Sequence, residues 1–256
     1  MANYDIVGNI AIVKFFRKEK LKDKKKFALN FLNNIKNVRT VLEKSSKFSG
    51  RLRTQKTKYI AGEKTKEALY HENGCVFRFN VDSCYFSPRL SSERKEIASY
   101  VKKGEKVLVM FGGVAPFAIA IAKLSKAHKV ISVELGRECS KYALENIKRN
   151  KLGNVEIVQG DIREKLKKSK EKFDRIVMPR PNLKDSFLDI VFPLIKNKGI
   201  IHYYGFYDEN EKEVLLELIR KEALKARKKV KILKIKKAGE IGKRRFRYRV
   251  DFKVSY

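Results

Sequence analysis

Residues 107–123, VLVMFGGVAPFAIAIAK, run an apolar strand into paired glycines and straight out into an apolar helix. Gly112 and Gly113 permit a tight backbone turn and the close approach of a ligand, with a helix N-terminus just beyond. The pattern GGVAPF is not GxGxxG, so a dinucleotide pyrophosphate is not the guest it implies. Alone, the elbow is also compatible with a purely structural strand-to-helix turn.

Outward from the elbow the elements alternate. A helix at 91–102 precedes strand 106–110, helix 115–126, strand 129–134, helix 137–150, strand 155–159, a basic helix near 163–170 and strand 173–178. A helix near 183–194, strand 199–204, helix 209–228 and strands 229–236 and 245–254 follow. Such alternation predicts an α/β fold, a largely parallel Rossmann-like sheet with helices on both faces, closed by an edge hairpin. Upstream the pattern differs. YDIVGNIAIVKFF (4–16) predicts two short strands around Gly8–Asn9, and 22–36 a basic helix with Phe27, Leu29, Phe31, Leu32 and Ile35 on its apolar side. Further strands are expected near 38–42, 58–61 and 74–80, while KSSKFSGRLRTQKTK is too polar for a core. The expected organisation is a small α+β domain over residues 1–90 and the larger α/β domain over 91–256.

Lys and Arg number 61 against 29 Asp and Glu in 256 residues, a formal charge of +32. That excess points to a polyanionic partner, a nucleic acid whose phosphates the cations neutralise. The 3 cysteines and 3 histidines are scattered, with no CxxC, and suggest neither a disulfide framework nor a metal site. No apolar run approaches membrane length and MANYDIVGNI lacks a signal peptide's regions, so no membrane and a cytoplasmic location are expected.

The strands after the elbow carry acids at their ends. KVISVEL ends with Glu134, where a carboxylate can accept both ribose hydroxyls of a nucleoside. VEIVQGD ends in Asp161, followed by Ile162, a pair able to meet an adenine edge. Each acid alone also reads as a helix cap. Glycines, an acid and an acid at three successive strand ends indicate a nucleoside-bearing cofactor, and S-adenosylmethionine fits because GxxxxGK[ST] is absent. The fourth strand runs DRIVMPRP, so Pro179, Arg180 and Pro181 stand where amino-group methyltransferases often grip the target nitrogen; a structural loop is the other reading. In YFSPRLSSER (85–94), Glu93 reads either as a helix cap or as a general base, and Tyr85 and Phe86 as core or as a stacking surface for an extruded base.

YFSPRLSSER, MFGGVAPFAIAIAK and GIIHYYGFY (199–207), with NVRTVLEK, GRLRTQ, AGE and HENG upstream, resemble the archaeal-type tRNA (guanine-37-N1) methyltransferases over nearly the whole chain. The resemblance implies a class I S-adenosylmethionine-dependent fold preceded by a small tRNA-contacting domain. It implies Glu93 as general base, Arg53 as the cation at guanine O6, and Tyr85, Pro179, Arg180 and Pro181 around the base. Arg94, Phe111, Gly112, Gly113, Val114, Glu134, Leu135, Asp161, Ile162 and Pro179 match cofactor contacts.

Where relatives usually read DMFAGVGPF this chain has VMFGGVAPF, losing an acid at Val109 and a glycine at Ala115, and Pro179 replaces an Asn. The chain begins where the second domain of many relatives begins, which predicts recognition based on the anticodon stem-loop and a basic surface, with weaker reading of overall tRNA shape; a monomer is expected separately. Similar enzymes methylate C7 of a tricyclic wyosine precursor at the same tRNA position, or transfer an aminocarboxypropyl group from the same cofactor. C7 methylation, alone or as a second activity, is therefore an alternative expectation. A non-catalytic RNA-binding protein on this fold is an alternative of another class.

Overall fold

The computed structural model describes residues 3–16, 18–167, 169–242 and 244–256. In the first unit, β1 (Asn3–Val7) and β2 (Ile10–Lys14) form a hairpin whose two-residue turn has Gly8 at φ 60°. Helix α1 (Leu21–Asn34) then leads to β3 (Thr40–Lys44), parallel to β2, and β4 (Thr57–Gly62), antiparallel to β3. Period-two alternation divides this sheet: Ala11, Val13 and Val41 pack with Ala28 and Phe31 of α1, while Ile10, Ile12 and Leu42 face the body of the protein. Leu29, expected on the apolar side of α1, is instead exposed, because Phe27, Ala28, Phe31 and Leu32 already fill the face toward the strands.

A second hairpin, β5 (Glu67–Glu72) and β6 (Cys75–Asn80), joins this unit to α2 (Ser91–Tyr100). Strand β5, EALYHE, lacks the alternation that would announce it in the sequence. Then come β7 (Lys106–Met110), α3 (Pro116–Leu124), β8 (Lys129–Glu134), α4 (Arg137–Arg149), β9 (Val155–Gln159), α5 (Ile162–Lys167) and β10 (Phe173–Met178). The chain ends with α6 (Leu188–Val191), β11 (Ile195–Asp208), α7 (Lys212–Lys225), β12 (Lys229–Gly242) and β13 (Arg245–Ser255).

These last strands form one seven-stranded sheet in the order β12-β13-β11-β10-β7-β8-β9. Its five central and flanking strands from β11 to β9 are parallel and β13 runs antiparallel to both neighbours. Alternate residues serve opposite faces. Val107, Val109, Val130 and Val177 join the cluster under α2, α3 and α4, whereas Leu108, Met110, Ile131, Ile176 and Met178 join that under α6 and α7. Helix α4 shows why its segment is helical: Cys139, Tyr142, Ala143, Asn146 and Ile147 recur at spacings of three and four on the buried face, and Lys148 and Arg149 sit at the negative end of its dipole.

The helix expected near 183–194 is reduced to the single turn of α6. The preceding residues are held as a loop by Arg180, whose guanidinium donates to the carbonyls of Leu183 and Asp185, and by Arg163, which pairs with Asp185 and Asp189. No helix among the described residues is long and apolar enough to cross a membrane.

Candidate active site

The sheet order reverses between β7 and β10, and ligands of open α/β sheets bind beyond the strand C-termini at such a switch point. The elbow lies here. Phe111, Gly113 and Ala115 all adopt left-handed backbone, at φ 55°, 55° and 66°. A Cβ on Gly112 would fall 2.1 Å from Ser132 Oγ of the adjacent strand, so that position has no room for a side chain. The turn is fixed by the Gly112 amide donating to Val133 O (2.9 Å) and the Ala115 amide to Gly112 O (2.9 Å).

Glu134, ending β8, accepts the amide protons of Gly113 (2.7 Å) and Gly136 (2.6 Å), one on each carboxylate oxygen. Burial pushes its carboxyl above the usual range, with the amide donors opposing that rise. Asp161, after β9, accepts from Arg51 Nη2 at 2.7 Å and from the Arg163 amide at 2.9 Å, and these bonds hold its carboxyl below the usual range. Arg51 belongs to the loop between β3 and β4, so the first unit reaches over the end of the cleft beyond β9.

The same loop carries Leu52 and Arg53 into the cleft wall. Arg53, itself at φ 52°, places its guanidinium 3.9 Å from the centroid of the Tyr85 ring, whose edge meets Phe48 at 5.0 Å. Burial alone would raise the Tyr85 phenol, but the charges of Arg53 and Arg247 outweigh it and hold the group below the usual tyrosine range.

Tyr85, Arg53, Arg94, Phe111, Gly112, Gly113, Glu134, Leu135, Asp161, Ile162, Pro179, Arg180 and Pro181 all line one cleft. Several differ from their expected roles in detail. Arg94 lies at the floor with its charge already matched, Nη2 standing 2.5 Å from Glu72 and donating to Ser87 O at 3.1 Å. Arg180 turns its head group back into its own loop and over the Tyr203 ring at 5.4 Å, which leaves the prolines and backbone at the cleft face. Val114 is buried under the elbow and does not reach the wall; its carbonyl accepts from Asn146 Nδ2 at 3.3 Å.

Glu93 is also absent from the cleft wall. Its side chain, 3 % exposed, is held by Arg249 Nη1 (2.5 Å) and Lys236 Nζ (2.6 Å), and Tyr204 donates its hydroxyl to Oε2 at 3.1 Å. Tyr204 does line the cleft, so a phenol stands between Glu93 and the space where a ligand would bind. Arg51, Leu52, Tyr204 and Arg247 are lining residues that reasoning from sequence did not single out. A signal for Arg247 exists: in RFRYRVDF the odd positions Arg245, Arg247, Arg249 and Asp251 share one face of β13, while Phe246, Tyr248, Val250 and Phe252 enter the core on the other.

The family model for the TRM5/TYW2 methyltransferase domain matches residues 68–233, and that for the TYW2 N-terminal domain matches residues 1–65. The chain is 38% identical over 256 residues to the tRNA (guanine(37)-N(1))-methyltransferase Trm5b of Pyrococcus abyssi, covering 99% of this chain and 75% of the relative. It is 33% identical to the tRNA (guanine(37)-N(1))/4-demethylwyosine(37)-methyltransferase Taw22 of Nanoarchaeum equitans, covering 97% of this chain and 98% of the relative. The crystal structure of P. abyssi Trm5b superimposes with a TM-score of 0.88 at 37% identity, over 99% of this chain and 75% of that one. Methanocaldococcus jannaschii TYW2 in complex with AdoMet gives 0.76 at 26% identity, over 99% of both chains. The two family models and these relatives show that the chain belongs to the TRM5/TYW2 methyltransferase family.

Proposed function

We propose that this protein methylates N1 of guanine 37 in tRNA, using S-adenosylmethionine. The observation that carries the reading is the pairing, in one cleft, of a nucleoside-sized acid-and-glycine wall with an aromatic–cation platform, Tyr85 under Arg53. The residues fit the cofactor. Glu134 offers a buried carboxylate for ribose hydroxyls, Asp161 and Ile162 an edge for adenine, and Gly112 and Gly113 a backbone without side chains for the methionine end. When bound, that cofactor supplies an electrophilic methyl group on a sulfonium centre.

The chain's own residues do the rest. Tyr85 offers a stacking face for a flipped purine, and Arg53 a charge for the negative charge that grows on O6 as N1 loses its proton. That proton passes to the Tyr204 oxygen while the Tyr204 hydroxyl proton passes to Glu93 Oε2, so Glu93 serves as the final acceptor without touching the base. Arg249 and Lys236 fix the Glu93 carboxylate in place. The residues before about 90 hold the anticodon stem-loop, and the enzyme acts as a cytoplasmic monomer.

One observation favours a second activity, C7 methylation of the tricyclic wyosine precursor. The Pro179–Arg180–Pro181 loop has no amide side chain to grip a guanine, and Arg180 is folded back from the cleft face. Incubation with methyl-labelled cofactor and either unmodified tRNA or tRNA carrying the precursor tests both readings. Label at N1 of guanine 37 is expected with unmodified tRNA; transfer only to the precursor would replace the first activity by the second.

A further inference from the structure

The deeply buried arginines Arg94, Arg175 and Arg249 each meet a carboxylate, from Glu72, Glu105 and Glu93 respectively. Arg180 is buried against carbonyls. Arg247 is the exception. It is only 9 % exposed, yet among the described residues no carboxylate pairs with it. Its neighbours are the Phe206 ring, 5.2 Å from the guanidinium, and the Tyr85 hydroxyl.

Burying a guanidinium without an anion or a full set of acceptors is unfavourable, and this one faces the cleft. Beyond the Tyr85 hydroxyl, its guanidinium is open toward the cleft to an acceptor that a ligand brings. Position within the sheet says which ligand. The acids proposed to bind the nucleoside follow β8 and β9, while Arg247 projects from β13, on the other side of β10 and β11, beside the Tyr85 hydroxyl in the cleft that Tyr204 and Pro179–Pro181 also line. That is the target-base side of the cleft. The planar fork of an arginine matches two acceptors on one purine edge, the arrangement of O6 and N7 in guanine.

Resting on the proposed function, we infer that Arg247 is a further substrate-binding residue, its guanidinium donating to the O6 and N7 edge of the extruded guanine beside the Arg53–Tyr85 platform. This contact takes up the side-chain grip on the base that Pro179 does not provide. It leaves N1 unobstructed for the methyl group.

The test uses full-length protein and two ligated tRNAs, with guanosine or 7-deazaguanosine at position 37, the latter lacking the N7 acceptor. Single-turnover methylation by the wild-type protein is expected to be about 5- to 100-fold slower on the 7-deaza tRNA. Arg247→Ala is expected to be slow on both and to distinguish them by no more than about 2-fold, as coupled partners should. Cofactor affinity by calorimetry and the salt dependence of tRNA binding stay at wild-type values. If Arg247→Ala does not fold, Arg247→Lys, which keeps the charge and loses the fork, carries the same comparison. The inference is overturned if wild type ignores the 7-deaza change, if the variant remains as sensitive as wild type, if cofactor binding weakens, or if the salt slope drops by about 1, the mark of a phosphate contact. Wild-type protein that methylates neither tRNA would refute the proposed function itself and this role with it.

Discussion

Ala115 holds a left-handed backbone at φ 66° with a Cβ that disfavours it, at a cost of about 1–2 kcal/mol. Ala115→Gly should therefore stabilise the protein by about 1 kcal/mol and raise its melting temperature by about 2–4 °C in calorimetry. An unchanged or lower melting temperature would show that the strain is absorbed elsewhere. Tyr204→Phe removes the hydroxyl between the cleft and Glu93; kcat should fall about 100-fold while cofactor and tRNA affinities hold, and unchanged kcat would eliminate the relay. His202 sits between Asp251 Oδ1, 2.7 Å from Nδ1, and Arg175 Nη1, 2.7 Å from Nε2. Arginine only donates, so Nε2 accepts and Nδ1–H donates, which makes the ring neutral. Burial lowers its pKa below that of a free histidine, Arg175 adds to this, and Asp251 opposes it. The unfolded chain thus binds a proton first. Stability from the neutral ring is present above about pH 6.5 and is lost as pH falls below it. Urea midpoints should drop between about pH 7 and 5.5, and His202→Gln should flatten that slope. Of the site residues, Glu134 and Asp161 were legible in the sequence because strand ends are local features. The partners of Glu93 were not, since Tyr204, Lys236 and Arg249 come from strands more than a hundred residues away that only the folded sheet brings under α2.

Elements fail or hold by how their edges are satisfied. The outer edge of β6 is closed by side chains rather than by a strand: Asn146 and Asn150 of the α4 end accept the amide protons of Arg78 (2.7 Å) and Val76 (2.9 Å) and donate to the carbonyls of the same residues. Asn150→Ala should cost about 1–3 kcal/mol and speed hydrogen exchange at the Val76 amide, while retained protection there would deny the clamp. The strand–helix alternation from 106 to 178 was readable because each element has a continuous apolar face. The 183–194 segment misled because Leu183, Phe187, Leu188 and Val191 have helical spacing, and what breaks the helix is Arg180 and Arg163 gathering the loop's carbonyls and acids. Strand β5 was hidden for the opposite reason. Its pairing is set by β6 and by Asn9, which accepts from the Leu69 amide at 2.7 Å, rather than by its own pattern.

Across the whole molecule the charge of +32 remains the strongest statement about partners. Lys22, Lys25 and Lys26 of α1 and Lys229 and Lys231 of β12 are exposed, so these cations are available to phosphates. The affinity for tRNA should fall steeply with salt, by about 1,000-fold or more between about 50 and 200 mM for six or more phosphate contacts, in filter-binding titrations. A shallow dependence would mean that recognition rests on the cleft. Methylation at N1 of guanine 37 is tested directly by nucleoside mass spectrometry of unmodified tRNA incubated with the protein and methyl-donor cofactor, beside the same tRNA with adenine at position 37. 1-Methylguanosine at position 37 of the first and no methylation of the second are expected; methyl groups at any other position, or on both tRNAs alike, would contradict N1 methylation of guanine 37.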